Sequence, residues 1–151
     1  MSSILLVLLF FQLRPCTGAV YEARSLVLFK AGKRWNEARN VCAQGNGYLA
    51  TADKYTMSIL LQTKNNGVIS MWDNVWIGLH TADPVYNMLS AKGFVWEDCQ
   101  MLGDWTNWQA DQPSNRYNNW CVRLQFSDNL KWYPEQCTSQ AHFLCQYNRG
   151  M

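Results

Sequence analysis

Runs of like charge, low-complexity tracts and internal repeats are all missing from this 151-residue chain, which leaves a single folded domain as the reading of its length. Charge of one sign is missing too. With 13 basic and 11 acidic side chains the net is +2, and this excludes nucleic acid or an anionic membrane as the expected main partner. No apolar stretch is long enough to span a bilayer; the most apolar run, Ile4 to Phe11, is far too short. There is no Cys-x-x-Cys, and His80 and His142 do not stand at ligand spacing from any cysteine pair, which argues against a zinc site. No catalytic constellation is present either. Neither histidine has a sequence-evident Ser or Cys nucleophile, and Glu97 and Asp98 alternate to opposite faces of a strand, so no enzyme is expected.

What is present begins with an apolar share of 48%, enough for a substantial core. The run Ile4–Phe11 has the length of a signal-peptide apolar region, and small residues follow at Thr17, Gly18 and Ala19. The pattern lacks a basic residue before the run and carries Arg14 late; a buried N-terminal strand is the other reading. On the signal reading, residues 1–18 are removed and residues 19–151 form the mature domain, secreted and soluble, with 12 basic against 11 acidic groups. Six cysteines in a short secreted chain imply a disulfide framework. Cleavage takes Cys16 and leaves an odd five, so one thiol is free or pairs between chains.

Leu26–Phe29 reads as a short strand. Trp35, Ala38, Val41 and Cys42 recur at steps of three and four, one face of a helix that Gly45 and Gly47 end. Tyr48–Ala50 reads as a short strand. Asp53 can cap a second helix, in which Met57, Leu60 and Leu61 share a face and Asn65–Gly67 mark the stop. Trp76–Leu79 is a buried strand, and Phe94–Trp96 alternates before Glu97-Asp98-Cys99 turns the chain. From Leu102 to Trp120 there is almost no periodicity, many amides and three tryptophans, which predicts a long loop of the kind that is commonly functional. Val122–Phe126 and Ala141–Tyr147 are alternating strands. Helices first and antiparallel strands later make an α+β domain.

Taken in order, Trp35-x-x-Ala38-x-x-x-Cys42, Tyr48-Leu49-Ala50, Trp76-Ile77-Gly78-Leu79, Phe94-x-Trp96-x-Asp98, Trp108-x-x-x-x-Pro113, Cys121-Val122, Trp132, Cys137 and Cys145 resemble the C-type lectin-like domain, from about Leu26 to Tyr147. The resemblance implies two helices flanking small antiparallel sheets, with a long irregular binding loop. It also implies pairing of Cys42 with Cys145 and of Cys121 with Cys137. In the chain-entropy model the first bridge, closing about 100 residues, is worth roughly 4–5 kcal/mol, and the second, closing about 15, roughly 3 kcal/mol. Trp35, Trp76, Trp96 and Trp132 read as core. Cys99 replaces the glycine that usually follows Trp-x-Asp in this family. It is the odd cysteine, open to a disulfide-linked homodimer, a free thiol or a bridge to an uncleaved Cys16.

Sugar-binding members of the family hold calcium at positions that correspond here to Gln112, Pro113, Ser114, Asn119, Tyr133 and Pro134. Pro113 resembles the family's cis proline, and Gln112 is similar to the first residue of the galactose-type triplet. Calcium takes six to eight oxygens, with carboxylates supplying most of the affinity, and this set has none. Asp111, Asp128 and Glu135 are close in sequence but not at matching positions, so weak or no calcium binding is expected. The remaining candidate ligand contacts are Trp105, Gln112, Ser114, Asn115, Tyr117, Asn119 and Trp120, a mixture of aromatic faces for sugar rings and polar groups for hydroxyls. For Trp105 and Trp120 the other reading is that they pack the loop against the body, and Arg116 reads as a solvated charge.

Two functions follow. One is a secreted lectin of innate recognition that binds glycans on microbial or other cell surfaces, as the resemblance implies, with avidity raised if Cys99 links two copies. The other is a calcium-independent lectin-like protein that takes a protein ligand and no sugar. Direct membrane damage has little support, because no cationic amphipathic helix is evident.

Overall fold

The computed structural model describes residues 23–67, 70, 73–81, 93–114 and 120–149. Along the chain these form β1 (Ala23–Lys33), α1 (Trp35–Gln44), β2 (Tyr48–Leu49), α2 (Lys54–Asn65), β3 (Asn74–Thr81), β4 (Phe94–Trp96), β5 (Cys121–Gln125), a 3-10 turn at Phe126–Asp128, β6 (Lys131–Glu135) and β7 (Ala141–Arg149). The proposed signal segment, residues 1–18, lies outside the described residues.

The strands join in one seven-stranded sheet, ordered β1-β7-β3-β5-β6, with β2 added to β7 and β4 to β3. All pairings are antiparallel except β3 with β7, which run parallel through Val75–His142 and Trp76–Phe143. The expected α+β architecture is present, two helices with mostly antiparallel strands; β7 lies between β1 and β3 and, pairing parallel with β3, joins the strands into one mixed sheet. Two strands also differ in extent from their apolar runs. The segment read as Leu26–Phe29 extends to Ala23–Lys33 because it ladders along the whole of β7, where Phe29 stacks on Phe143 at 4.8 Å. The strand read as Val122–Phe126 is Cys121–Gln125, and Phe126 turns inward at the start of the 3-10 turn, fully buried.

The helices pack as their periodicity dictates, with one exception. In α1, Trp35, Ala38 and Cys42 are buried, and the Trp35 indole donates to the Ile77 carbonyl at 3.0 Å, tying helix to sheet. In α2 the Asp53 carboxylate accepts from the Thr56 amide at 2.9 Å, the expected cap. Its inner face is Thr56, Met57 and Leu60, whereas Leu61 is 41% exposed, one step too far around the helix to reach the core. Gly78 is where β3 crosses β2, for a Cβ there would lie 2.3 Å from the Leu49 carbonyl oxygen.

Two disulfides close the frame, Cys42–Cys145 across 103 positions and Cys121–Cys137 across 16, as the resemblance implied. Cys99 is also disulfide-bonded, and no described cysteine is free. Of the alternatives for Cys99, this sets aside the free thiol. The residue does occupy the left-handed region anticipated for a glycine position, at φ 68°.

Candidate functional site

The site is built on the segment that follows β4. The turn at Glu97–Cys99 is closed by the Cys99 amide donating to the Trp96 carbonyl at 2.8 Å, and by Asp98, whose carboxylate accepts from the Gln100 amide and the Thr51 hydroxyl. The chain then doubles back, with Val95 bridging Met101, and runs without regular structure until it docks on β6. There the Trp132 amide donates to the Asn107 carbonyl at 2.9 Å, the Gln109 amide donates to the Trp132 carbonyl at 3.0 Å, and the Asn107 side chain donates to the Leu130 carbonyl. Backbone pairing therefore fixes a loop that no hydrophobic period specifies.

Trp132 is the hub of this region. It is fully buried, and Trp96, Trp105 and Trp108 each meet it nearly at right angles, with ring centres 5.4–5.7 Å apart. Trp105 keeps 37% of its surface exposed, so packing and accessibility coexist in one side chain. Trp120 differs. At 3% exposure it belongs to the main core, which corrects the reading of it as a stacking face for ligand. It directly precedes Cys121, whose strand and disulfide draw it inside. Trp35, Trp76 and Trp96 are buried as expected.

Gln112 and Ser114 lie at the described end of the loop. The Gln112–Pro113 peptide is cis, and the Gln112 side-chain oxygen accepts from the Ser114 amide at 3.1 Å. Asn115, Tyr117 and Asn119, with Arg116, lie outside the described residues. On β6, Tyr133 donates its hydroxyl to the Asp128 carboxylate, and this hydrogen bond, which holds the phenolic proton, pushes the Tyr133 pKa above the usual tyrosine value. The Arg123 guanidinium lies 4.9 Å above the Tyr133 ring and 3.6 Å from the Glu135 carboxylate, which also accepts from Ser139.

These donors do not fit a calcium ion. Of the positions that the family resemblance assigns to the metal, Gln112 and Ser114 supply neutral oxygens, the Tyr133 hydroxyl is bound to Asp128, and Pro134 supplies only a carbonyl. The nearby carboxylates Asp128 and Glu135 are engaged by Tyr133 and Arg123. Among the described residues no group of three His, Cys, Asp or Glu side chains could hold a metal ion.

On the other side of the Trp132 hub an open groove of about 430 Å³ lies between the first turn of α2 and the segment Gln100–Trp105. Trp96, Trp132 and Ala52 are its buried apolar lining; Tyr55, Met101 and Trp105 are its exposed apolar lining. Sequence reasoning reached Trp105 but neither Tyr55 nor Met101, since a single exposed apolar residue carries no signal of its own.

A third cluster sits by α1. The buried Glu97 carboxylate binds Arg39 at 2.9 Å and lies 3.7 Å from His80, whose ring packs against Trp35 at 4.9 Å. Burial lowers the His80 pKa below its ordinary 6.5, outweighing the attraction of Glu97.

The two helices, the mixed sheet and the irregular loop pinned on Trp132 between two disulfides define a lectin-type scaffold. Residues 31–147 match the family described as Lectin C-type domain, and the chain belongs to that family, which is one of lectins and not of enzymes. Similar proteins include the C-type lectin galactose-binding isoform of Hoplocephalus stephensii, 30% identical with 87% of this chain and 78% of that one covered. Regenerating islet-derived protein 3-alpha of Mus musculus is 26% identical, with 89% and 77% covered. Among solved structures, human lithostathine superposes with a TM-score of 0.70 at 23% identity, covering 86% of this chain and 87% of that one. Among the described residues no helix is long and apolar enough to cross a membrane.

Proposed function

We propose that this chain is a secreted lectin, residues 19–151 after removal of a signal peptide at 1–18, that binds glycans on microbial or other cell surfaces without calcium. The observation that carries the reading is Trp105: a tryptophan set edge to face on the buried Trp132, yet 37% exposed at the surface of a lectin frame whose metal positions hold no carboxylate. A fixed aromatic face stacks on the apolar face of a sugar ring, and neutral amides and hydroxyls then read its hydroxyl groups. Gln112 and Ser114, together with Asn115, Tyr117 and Asn119 on the same loop, are the proposed polar readers. The Hoplocephalus stephensii relative is named as galactose-binding, so galactose-containing glycans are the first class to try.

The test is a glycan array and a microbial polysaccharide pull-down, each run in calcium and in chelator. Binding of the same glycans in both buffers supports the reading. Loss of all binding in chelator removes the calcium-independent part, and no glycan in either buffer sinks the whole. The engaged carboxylates equally suit a lectin-like protein that binds a protein ligand; a partner captured from extracellular fluid, insensitive to sugars and chelator, would favour that function.

A further inference from the structure

Among the described residues exposed large hydrophobics are few, and they are not scattered. The described ones are Val27, Tyr55, Leu61, Met101 and Trp105, and three of the five line the groove between α2 and the loop. Tyr55 is 57% exposed and Met101 69%. Single exposed apolar residues need no explanation, but their convergence on one concavity does.

Each is held in place independently. The Arg24 guanidinium lies 5.3 Å from the centre of the Tyr55 ring and is anchored by the Asp53 carboxylate at 2.7 Å and the Thr56 hydroxyl at 3.2 Å. Met101 is placed by its bridge to Val95 and by the Trp96 amide donating to the Gln100 carbonyl at 2.9 Å. Trp105 is placed by Trp132. The two rings are thus placed by neighbouring side chains and Met101 by its backbone, which lowers part of the ordering cost of binding.

The polar lining indicates the ligand class. Asp53 is neutralised by Arg24, and the other charged lining residues, Lys54 and Asp104, are one of each sign. A groove with no net charge is poorly suited to a sulfated or sialylated chain. The apolar contacts are also interrupted by Lys54, Gln100 and Asp104, so they do not form the continuous stripe that an amphipathic helix or an apolar peptide would cover. Flat aromatic faces separated by side chains that donate and accept match a pyranose chain, which is apolar on its ring faces and hydroxylated at its edges. A volume of about 430 Å³ falls within the range of about 300–1,000 Å³ usual for small-ligand sites.

We propose that the groove rimmed by Tyr55, Met101 and Trp105 is a binding subsite for an uncharged oligosaccharide, read by Lys54, Gln100 and Asp104. The inference rests on the carbohydrate reading above and adds to it a site away from the metal positions, together with a preference for neutral chains.

The test titrates the full chain, in chelator, with neutral galactan, glucan and mannan hexamers and with a heparin hexamer, by calorimetry. At least one neutral hexamer is expected to bind and heparin is not. Tyr55→Ala and Trp105→Ala should each weaken binding about tenfold and Met101→Ala several-fold, while Leu61→Ala, an exposed residue of α2 outside the groove, leaves it unchanged. Trp105→Ala could disturb the packing on Trp132, whereas the exposed Tyr55 and Met101 keep the test independent of folding. Neutral binding that persists in the Tyr55→Ala/Met101→Ala double variant overturns the subsite and leaves the lectin reading standing. Binding of heparin alone overturns the ligand class. No carbohydrate binding by the wild-type chain, here and on the array, removes the lectin reading and this subsite with it.

Discussion

Trp132 and Tyr133 are neighbours in β6, and strand alternation sends their side chains to opposite faces. Trp132 points inward and carries the tryptophan cluster, with Trp105 reaching the surface at the groove. Tyr133 stands in a corner where its hydroxyl is bound to Asp128 and its ring lies under Arg123, which in turn reaches Glu135. The groove has two placed aromatic rings and leaves apolar faces uncovered; the corner is polar but has bound its charges to one another. A surface prepared for a ligand keeps its groups positioned and uncommitted, and by that criterion the groove qualifies while the corner, where the family resemblance assigns a metal, does not.

The contrast can be broken most forcefully at its hinge. Trp132→Ala removes the hub from three perpendicular contacts and opens a large cavity, so a loss of about 3–5 kcal/mol in urea unfolding is expected. A loss below about 1 kcal/mol would show that the cluster does not organise the loop. The corner can then be converted. Ser114→Asp, Tyr133→Asn and Pro134→Asp together return acidic and amide oxygens to the family's metal positions and release Asp128. The wild-type melting temperature should not respond to calcium. The triple variant should gain about 2.7 kcal/mol once calcium exceeds its Kd a hundredfold, and a calcium response in the wild type would refute the account of the donors.

Tyr133→Phe sharpens the comparison on a smaller scale. It deletes one hydrogen bond to a carboxylate at a half-exposed position, and about 1 kcal/mol or less should be lost, with groove binding untouched. The weakest effect lies by α1. The folded pKa of His80 is depressed by burial, so the unfolded chain takes up the proton first; the stability contributed is complete above pH 6.5 and declines as the pH falls below it. His80→Gln should flatten the fall in melting temperature between pH 7 and pH 5, and an unchanged slope would assign that fall to other groups.

The fold was legible because its markers are large residues whose spacing sets backbone register. Trp35, Ala38 and Cys42 mark one helix face, Trp76–Leu79 a central strand, and Trp132, Cys137 and Cys145 the closing strands and bridges. The candidate site was legible only in part. Trp105 stood out in an amide-rich loop, but Trp120 in the same loop is buried, because a segment without periodicity carries no signal of inside and outside. Tyr55 and Met101 come from a helix turn and a hairpin return far apart in sequence, and only the packing of α2 beside the loop makes them neighbours of Trp105. For Cys99, counting left a bridge and a free thiol open, and it is disulfide-bonded.

The most direct test of the central claim is an amide and indole NMR titration of the full chain with its best neutral oligosaccharide, first in chelator and then in excess calcium. The account predicts that in chelator the shifts fall on the Trp105 indole, Gln112 and Ser114, with Tyr55 and Met101 added by the groove, and stay the same when calcium is added. Shifts that appear only with calcium, centred on Gln112, Ser114 and Tyr133, would contradict it.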